Sequence, residues 1–296
     1  MGCLLIVTAC SAQNQNTVGA FASNIFSTII NQDDQTQNII MSPVSIQTCI
    51  AMTFFGAKGQ TADEIVTGLH LGTSDKQKVA ENFQNLLEFA SNSSMINIAN
   101  KMYVNQGYEV SEEFNDVAVK AFHSEAEILD FRNKVDSINT INNWVESKTN
   151  NKIQDLLSSN DMTDDVKIFL VNAIYFKGTW VNKFARTSRK DFWISETEKV
   201  EVDMMQKTAS FLYGEFPDLN MRAIEMPYLN SKLSMMIILP NGLDGLKELE
   251  DQFLKNVNFL DLSKKMELEN LTIKIPRFKI DFTISLIPIL EKVDFN

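Results

Sequence analysis

The sequence predicts an α+β fold, and three features carry that prediction. Apolar residues at helical spacing fill the first third of the chain. Beyond Trp180, short β-type runs closed by turn residues take over. Between them lies the densest apolar run, Val166 to Phe176, interrupted by Lys167 and Asn172. No internal repeat, low-complexity tract or Gly/Ser linker divides the chain, so residues 13–296 read as one large domain behind a short leader.

Val18, Phe21, Ala22, Ile25 and Ile29 recur with helical period, and the polar run from Asn31 to Gln37 ends that helix. Ser42-Pro43 starts the next one. Serine is a good N-cap, and proline at the first helical position lacks an N–H that would have no intrahelical partner anyway. This helix runs through Ile46, Ile50 and Phe54 to Gly56 and Gly59. Thr61 with Glu64 has capping-box spacing ahead of Ile65 and Leu69, and Val79, Phe83, Leu86, Leu87 and Ala90 form a further stripe.

From Met95 the pattern changes. Ile96, Ile98, Met102, Tyr103 and Val104 predict a strand that Gly107 ends. A helix capped by Ser111 carries Phe114, Val117, Ala118 and Ala121. A short strand over Ile128 to Phe131 precedes a helix with Ile138, Ile141 and Val145. The Val166–Phe176 run is apolar at nearly every position, which predicts a strand in the middle of a sheet, covered on both faces. Strands follow at Val200 to Val202, Ser210 to Tyr213, Ala223 to Met226 and Leu233 to Leu239, the last closed by Pro240-Asn241-Gly242. Leu246, Leu249, Phe253 and Val257 make a helical interlude, Leu271, Ile273 and Ile275 one face of a strand, and Leu286 to Val293 a final helix.

Lys+Arg number 27 and Asp+Glu 38, a formal charge of −11, so nucleic acid and anionic membranes are not expected partners. Three cysteines cannot build a disulfide framework. Cys3 to Cys10 is an apolar stretch followed by the small residues Ser11 and Ala12, which predicts a signal peptide over residues 1–12, cut ahead of Gln13, and a secreted, extracellular protein. The alternative is an ordinary N-terminal segment, since the stretch is short and lacks basic residues before it. Asn92-Ser93-Ser94 and Asn270-Leu271-Thr272 are acceptor tripeptides for N-glycans if the chain is exported. No later segment reaches the run of about 18 apolar residues that a membrane span needs.

The catalytic inventory is thin. His70 and His123 are the two histidines, in no metal-binding spacing, and no G-x-S-x-G, Walker or G-x-G-x-x-G motif occurs. Cys49 lies on an apolar helix face, where a packed thiol is the natural reading. Arg186, Arg189 and Lys190 read as a solvated basic face. An enzyme is therefore not expected, and neither a cofactor nor a metal is implied.

At Asn38-Ile39-Ile40-Met41-Ser42-Pro43-Val44-Ser45-Ile46 the sequence resembles the serpins, the family of large serine-protease inhibitors. Gly56-Ala57-Lys58-Gly59-Gln60-Thr61-Ala62-Asp63-Glu64-Ile65 and Val171-Asn172-Ala173-Ile174-Tyr175-Phe176-Lys177-Gly178-Thr179-Trp180 continue the resemblance. So do Val202 to Met205, Glu225 to Tyr228, Met235 to Asn241 and Ile275 to Ile280. The resemblance implies helices packed around three mostly antiparallel sheets. It implies that Ser42 and Ser45 are shutter serines at the start of the second helix, that Asn172 is their central-strand partner, and that Trp180 stands at the top of the main sheet. These roles are structural.

In serpins the helix matching Leu286 to Val293 is followed by a strand of the main sheet, a hinge and the reactive loop. No reactive bond is expected within these residues, so the sequence reads as a serpin-like domain incomplete at its C-terminus. The inhibitory mechanism that the resemblance implies has a serine protease cleave the loop, which then inserts as a new strand while the acyl-enzyme is carried along. Two expectations follow: a chain from a secreted serine-protease inhibitor that does not inhibit as given, or a non-inhibitory secreted binding or carrier protein on the same scaffold. A heparin-type polyanion is not an expected partner, because the helix from Lys76 to Ala90 offers Lys76 and Lys78 against Glu81 and Glu88. Self-association is expected, through the edge of the Val166–Phe176 strand.

Overall fold

The computed structural model describes residues 4–9, 15–31, 38–91, 95–256, 259–280, 284 and 286–292. In chain order the first half holds strand β1 (Leu4–Ala9), helices α1 (Gln15–Ile30), α2 (Pro43–Gly56), α3 (Gly59–Gly68) and α4 (Lys76–Ser91), and strand β2 (Ile96–Asn105). Then come α5 (Glu112–Phe122), β3 (Ala126–Leu129), α6 (Lys134–Lys148) and β4 (Ile168–Phe176). The second half holds β5 (Thr187–Trp193), β6 (Lys199–Phe216), β7 (Met221–Pro227), β8 (Leu233–Pro240), α7 (Leu246–Asn256), α8 (Phe259–Ser263), β9 (Glu267–Pro276) and α9 (Ile287–Leu290).

Within the span expected to be one domain, contacts gather into two compact units, residues 1–41 with 178–289, and residues 42–177 with 290–296. In the first unit a single sheet runs in the order β1-β8-β7-β6-β5, with β9 also paired to β6. β6 is 18 residues long. Its first part, to Met205, pairs with β5, and Leu212 to Phe216 pair with β7. β9 pairs with Met204 to Tyr213, overlapping both, so β5 and β7 share one edge of β6 and β9 takes the other. The separate strands expected at Val200–Val202 and Ser210–Tyr213 are thus one continuous strand, with no Gly or Pro between Val202 and Ser210 to divide it. Where three sheets are expected, the described residues form two, because β6 joins the β5 and β7 strands into one.

The core of this unit packs β7 and β8 side chains Met221, Ala223, Met236 and Ile238 against Leu249, Leu262 and Met266. α1 contacts α7 and α8, and its Phe21, Ile25 and Ile29, four residues apart, are fully buried. Each such side chain contributes about 1.5–3 kcal/mol relative to leaving it in water.

The second unit has a three-stranded sheet in the order β3-β2-β4, with β2 parallel to β3 and antiparallel to β4. Val171 and Ala173 of β4 pack with Ile138, Ile141 and Val145 of α6, and with Tyr103, Phe131 and Met162. α2 also packs on β4. Among the described residues β4 pairs only with β2 and forms the sheet edge, with Ile168 50% exposed, where a central strand is expected. Ser111 caps α5 by accepting from the Phe114 N–H at 3.2 Å. The Thr61–Glu64 box does not form: α3 begins at Gly59, whose φ of 57° suits glycine, and Thr61 lies inside the helix.

Candidate functional site

The polar residues beneath the small sheet begin at the N-terminus of α2. Ser42 has extended backbone, φ −117° and ψ 97°, and Pro43 follows at the first helical position. The Ser42 Oγ accepts from the Ser45 N–H at 3.3 Å, satisfying one of the donors that a helix start leaves free. Ser45 is 3% exposed, and its own Oγ has no hydrogen-bond partner among the described residues. Two residues on, the buried Gln47 donates from Nε2 to the Leu69 carbonyl at 2.7 Å and ties α2 to the end of α3.

Asn172 stands opposite Asn100 in the β2–β4 register, so the two side chains share one face of the pleat. That face is the opposite one from Val171 and Ala173, because side chains alternate along a strand. Asn172 Nδ2 donates to Asn100 Oδ1 at 2.6 Å, and Asn100 Nδ2 donates to the Phe122 carbonyl at 3.2 Å. Asn100 is 4% exposed. The relay therefore runs from β4 through β2 to the last turn of α5, where the Phe122 carbonyl lacks an intrahelical donor. It is a device for fixing β4 to β2 and α5.

Ser42 and Ser45 bond to one another and Asn172 to Asn100, and no hydrogen bond joins the two pairs among the described residues. Asn100 was not expected. Its signal was the one that marked Asn172, an amide inside an apolar strand, and a buried amide needs a partner.

Trp180 belongs to the other unit. It makes an isolated antiparallel bridge with Tyr228, and the two rings stack at 4.4 Å between centroids and 15° between planes. Bonds from Leu229 N–H to the Thr179 carbonyl, 2.7 Å, and from Val181 N–H to the Pro227 carbonyl, 3.0 Å, hold the bridge. Trp180 packs against Phe211, Met226 and Ile273, and burial raises the Tyr228 phenol pKa. Of the glycan acceptors, Asn270 is exposed within β9, opposite Ser210, and Asn92 lies outside the described residues.

Lys76 Nζ donates to the Phe55 and Ala57 carbonyls at 2.9 and 3.1 Å and lies 5.4 Å from the Phe54 ring centre, so this ammonium caps the C-terminus of α2. Lys78 lies 3.9 Å from Asp75. Arg189 pairs with Glu201 at 3.0 Å and with Asp203 at 3.5 Å across the β5–β6 hairpin. Burial pushes the Cys49 thiol up to about 12, which keeps it protonated and poorly nucleophilic at neutral pH. His70 and His123 hold φ of 52° and 50° at helix ends. Among the described residues no three His, Cys, Asp or Glu side chains cluster to hold a metal, and no helix is long and apolar enough to cross a membrane.

Among the described residues these positions build a framework of stacked rings, capped helices and an amide relay. A family model described as Serpin (serine protease inhibitor) matches residues 16–296. Serine protease inhibitor 42Dd of Drosophila melanogaster is 38% identical over 270 residues, 90% of this chain and 71% of that protein. The human Leukocyte elastase inhibitor is 32% identical over 277 residues, 90% of this chain and 72% of its own length. The solved structure of cleaved Serpin 42Da superposes with a TM-score of 0.91 at 36% identity, over 96% of this chain and 77% of that one. These relatives are named as inhibitors of proteases, not as enzymes. The chain belongs to the serpin family.

Proposed function

We propose that the protein is a secreted serine-protease inhibitor of the serpin type, and that residues 1–296 are its sheet-bearing body and do not inhibit by themselves. The outer edge of β4 is the observation that carries this reading. Among the described residues the nine-residue strand pairs with β2 alone, and it carries Asn172 of the Asn172–Asn100 relay. Such an edge can take up an added strand, and strand addition is the driving force that the resemblance assigns to inhibition. Arg189 is held in ion pairs with the β6 carboxylates of Glu201 and Asp203, which disfavours that hairpin as a flexible bait.

Incubation with trypsin-, chymotrypsin- and elastase-like serine proteases, followed by denaturing electrophoresis, tests the proposal. Residues 1–296 should give no band of protease plus inhibitor, and the product of a reading frame extended beyond Asn296 should give one. A covalent complex with residues 1–296 would locate a bait inside them and overturn the assignment. Failure of the extended product to trap any protease would favour the binding or carrier reading. Export is part of the proposal, supported by the Cys3–Cys10 stretch and by the accessibility of Asn270 on β9. The mass of the secreted protein, before and after glycosidase, should show an N-terminus at Gln13 and a glycan loss. An intact Met1 without glycan would refute export.

A further inference from the structure

The turn between β8 and α7 holds two sequences of one reactive kind, Asn241-Gly242 and Asp244-Gly245. In each, the amide nitrogen of the glycine can attack the side-chain carbonyl of the residue before it and close a five-membered ring. Glycine favours this reaction, because it has no Cβ to shield its nitrogen and its backbone turns freely. Asn241-Gly242 is the only asparagine–glycine pair in the sequence. Local sequence exposes both sites to ring closure, and the fold separates them.

Gly245 is held. Its N–H donates to the Gly242 carbonyl at 3.2 Å, and its own carbonyl accepts from the Leu249 N–H at 3.0 Å in the first turn of α7. A Cβ on Gly245 would lie 2.9 Å from the Pro240 Cβ, so the main chain is closely packed there. A nitrogen whose N–H is already donated, in a peptide with no room to turn, is a poor nucleophile. Gly242 differs on each count. Both it and Asn241 are exposed, and among the described residues no hydrogen bond takes up the Gly242 N–H. A Cβ on Gly242 would meet nothing closer than the Gly245 nitrogen, at 3.7 Å. Asn241 is anchored on its other side, where its N–H donates to the Asn220 carbonyl at 3.0 Å and its Nδ2 to the Asn220 Oδ1 at 3.3 Å. These bonds extend the β7–β8 ladder by one pair past Met221 and Pro240.

We propose that Asn241 is a self-modifying site, at which the folded chain deamidates without an enzyme. The Gly242 nitrogen, having lost its proton to hydroxide, attacks Asn241 Cγ. The N–Cγ bond forms, the Cγ–Nδ2 bond breaks, and the side-chain nitrogen takes a proton from water and leaves as ammonia. Water then adds to one of the two carbonyls of the succinimide and breaks that carbonyl's bond to the ring nitrogen, giving aspartate or isoaspartate. Nothing is oxidised or reduced. The product alters the turn in two ways. A carboxylate oxygen takes the place of the Nδ2 donor and faces the Asn220 Oδ1, which is itself an acceptor. In the isoaspartyl form the main chain also gains a methylene ahead of Gly242, whose carbonyl is the partner of the Gly245 N–H, so the start of α7 loosens.

Trypsin releases Leu233 to Lys247, in which Asn241 is the only asparagine. The full chain is incubated folded at neutral and at mildly alkaline pH, and unfolded in urea. The peptide is then read by mass spectrometry, with fragmentation that separates aspartate from isoaspartate. In the folded chain the exchange of NH2 for OH should accumulate at Asn241, faster at alkaline pH and within about tenfold of its rate in urea. Isoaspartate at Asp244 should appear only in urea. Gly242→Ala, which the turn has space to accept, should slow the change at Asn241 about tenfold. Amide exchange at Gly245 and Leu249 should be faster in the modified fraction than in the intact one. Asn241 reacting in urea and not in the folded chain, isoaspartate at Asp244 matching that at Asn241 in the folded chain, a Gly242→Ala rate equal to the parent's, or unchanged exchange at Gly245 and Leu249 would overturn the proposal. If Gly242→Ala fails to fold, the comparison of folded and urea-unfolded parent decides.

Discussion

Replacing Asn100 by alanine removes the middle of the relay from β4 to α5. Two groups then lose their partner together, the Asn172 amide at 2.6 Å and the Phe122 carbonyl at 3.2 Å. Asn100 is 4% exposed, so water cannot easily replace it. Each buried polar group left unsatisfied costs about 1–3 kcal/mol, giving an expected loss of about 2–6 kcal/mol for Asn100→Ala. Asn172→Ala orphans only the Asn100 Oδ1, and should cost about 1–2 kcal/mol. The two changes share one bond, so the double variant should fall short of the sum by about 0.5–3 kcal/mol. Urea denaturation reads all three values, as shifts in midpoint at constant slope. Equal and small losses for the single variants, with strict additivity in the double, would show that the relay does not couple β4 to α5 and would refute the reasoning.

Lys76→Met strips the carbonyls of Phe55 and Ala57 of their ammonium donor and should lower stability by about 1–2 kcal/mol, with Lys78→Met within about 0.5 kcal/mol of the parent in thermal melts. Because burial raises the Cys49 thiol from 9.0 to about 12, the unfolded chain loses that proton first; stability is whole below about pH 9 and falls as pH rises from 9 toward 12. Cys49→Ala should flatten that fall in urea titrations across the window, and an unchanged slope would exclude the thiol as its cause. Among the described residues β4 pairs with β2 alone and Ile168 is half exposed, so the chain should self-associate through that strand, relieved by a peptide that pairs with it; a monodisperse monomer indifferent to such peptides in light scattering would contradict this.

Short-range features of the chain were legible without coordinates. The stripes of α1, α2, α4, α5 and α6, the serine caps at Ser42 and Ser111, and the strands β2, β4, β7 and β8 rest on residues within a few positions of each other, where spacing and capping chemistry act. The serpin resemblance was legible for the same reason, being carried by ordered local segments. Partners chosen across the chain were not. Asn100 meets Asn172 from 72 residues away, Lys76 reaches back 21 residues to cap α2, and Trp180 finds Tyr228 through a single bridge. Local pattern also left β6 divided, because its polar middle becomes strand only when β9 pairs along it. Leu4 to Ala9 shows the limit most directly: an uncharged apolar hexapeptide suits an export leader and a sheet edge equally, and only its antiparallel register with β8 makes it a strand. Sequence sets what each segment can become, and the hydrogen-bonding needs of distant buried groups select which of those forms the folded chain adopts.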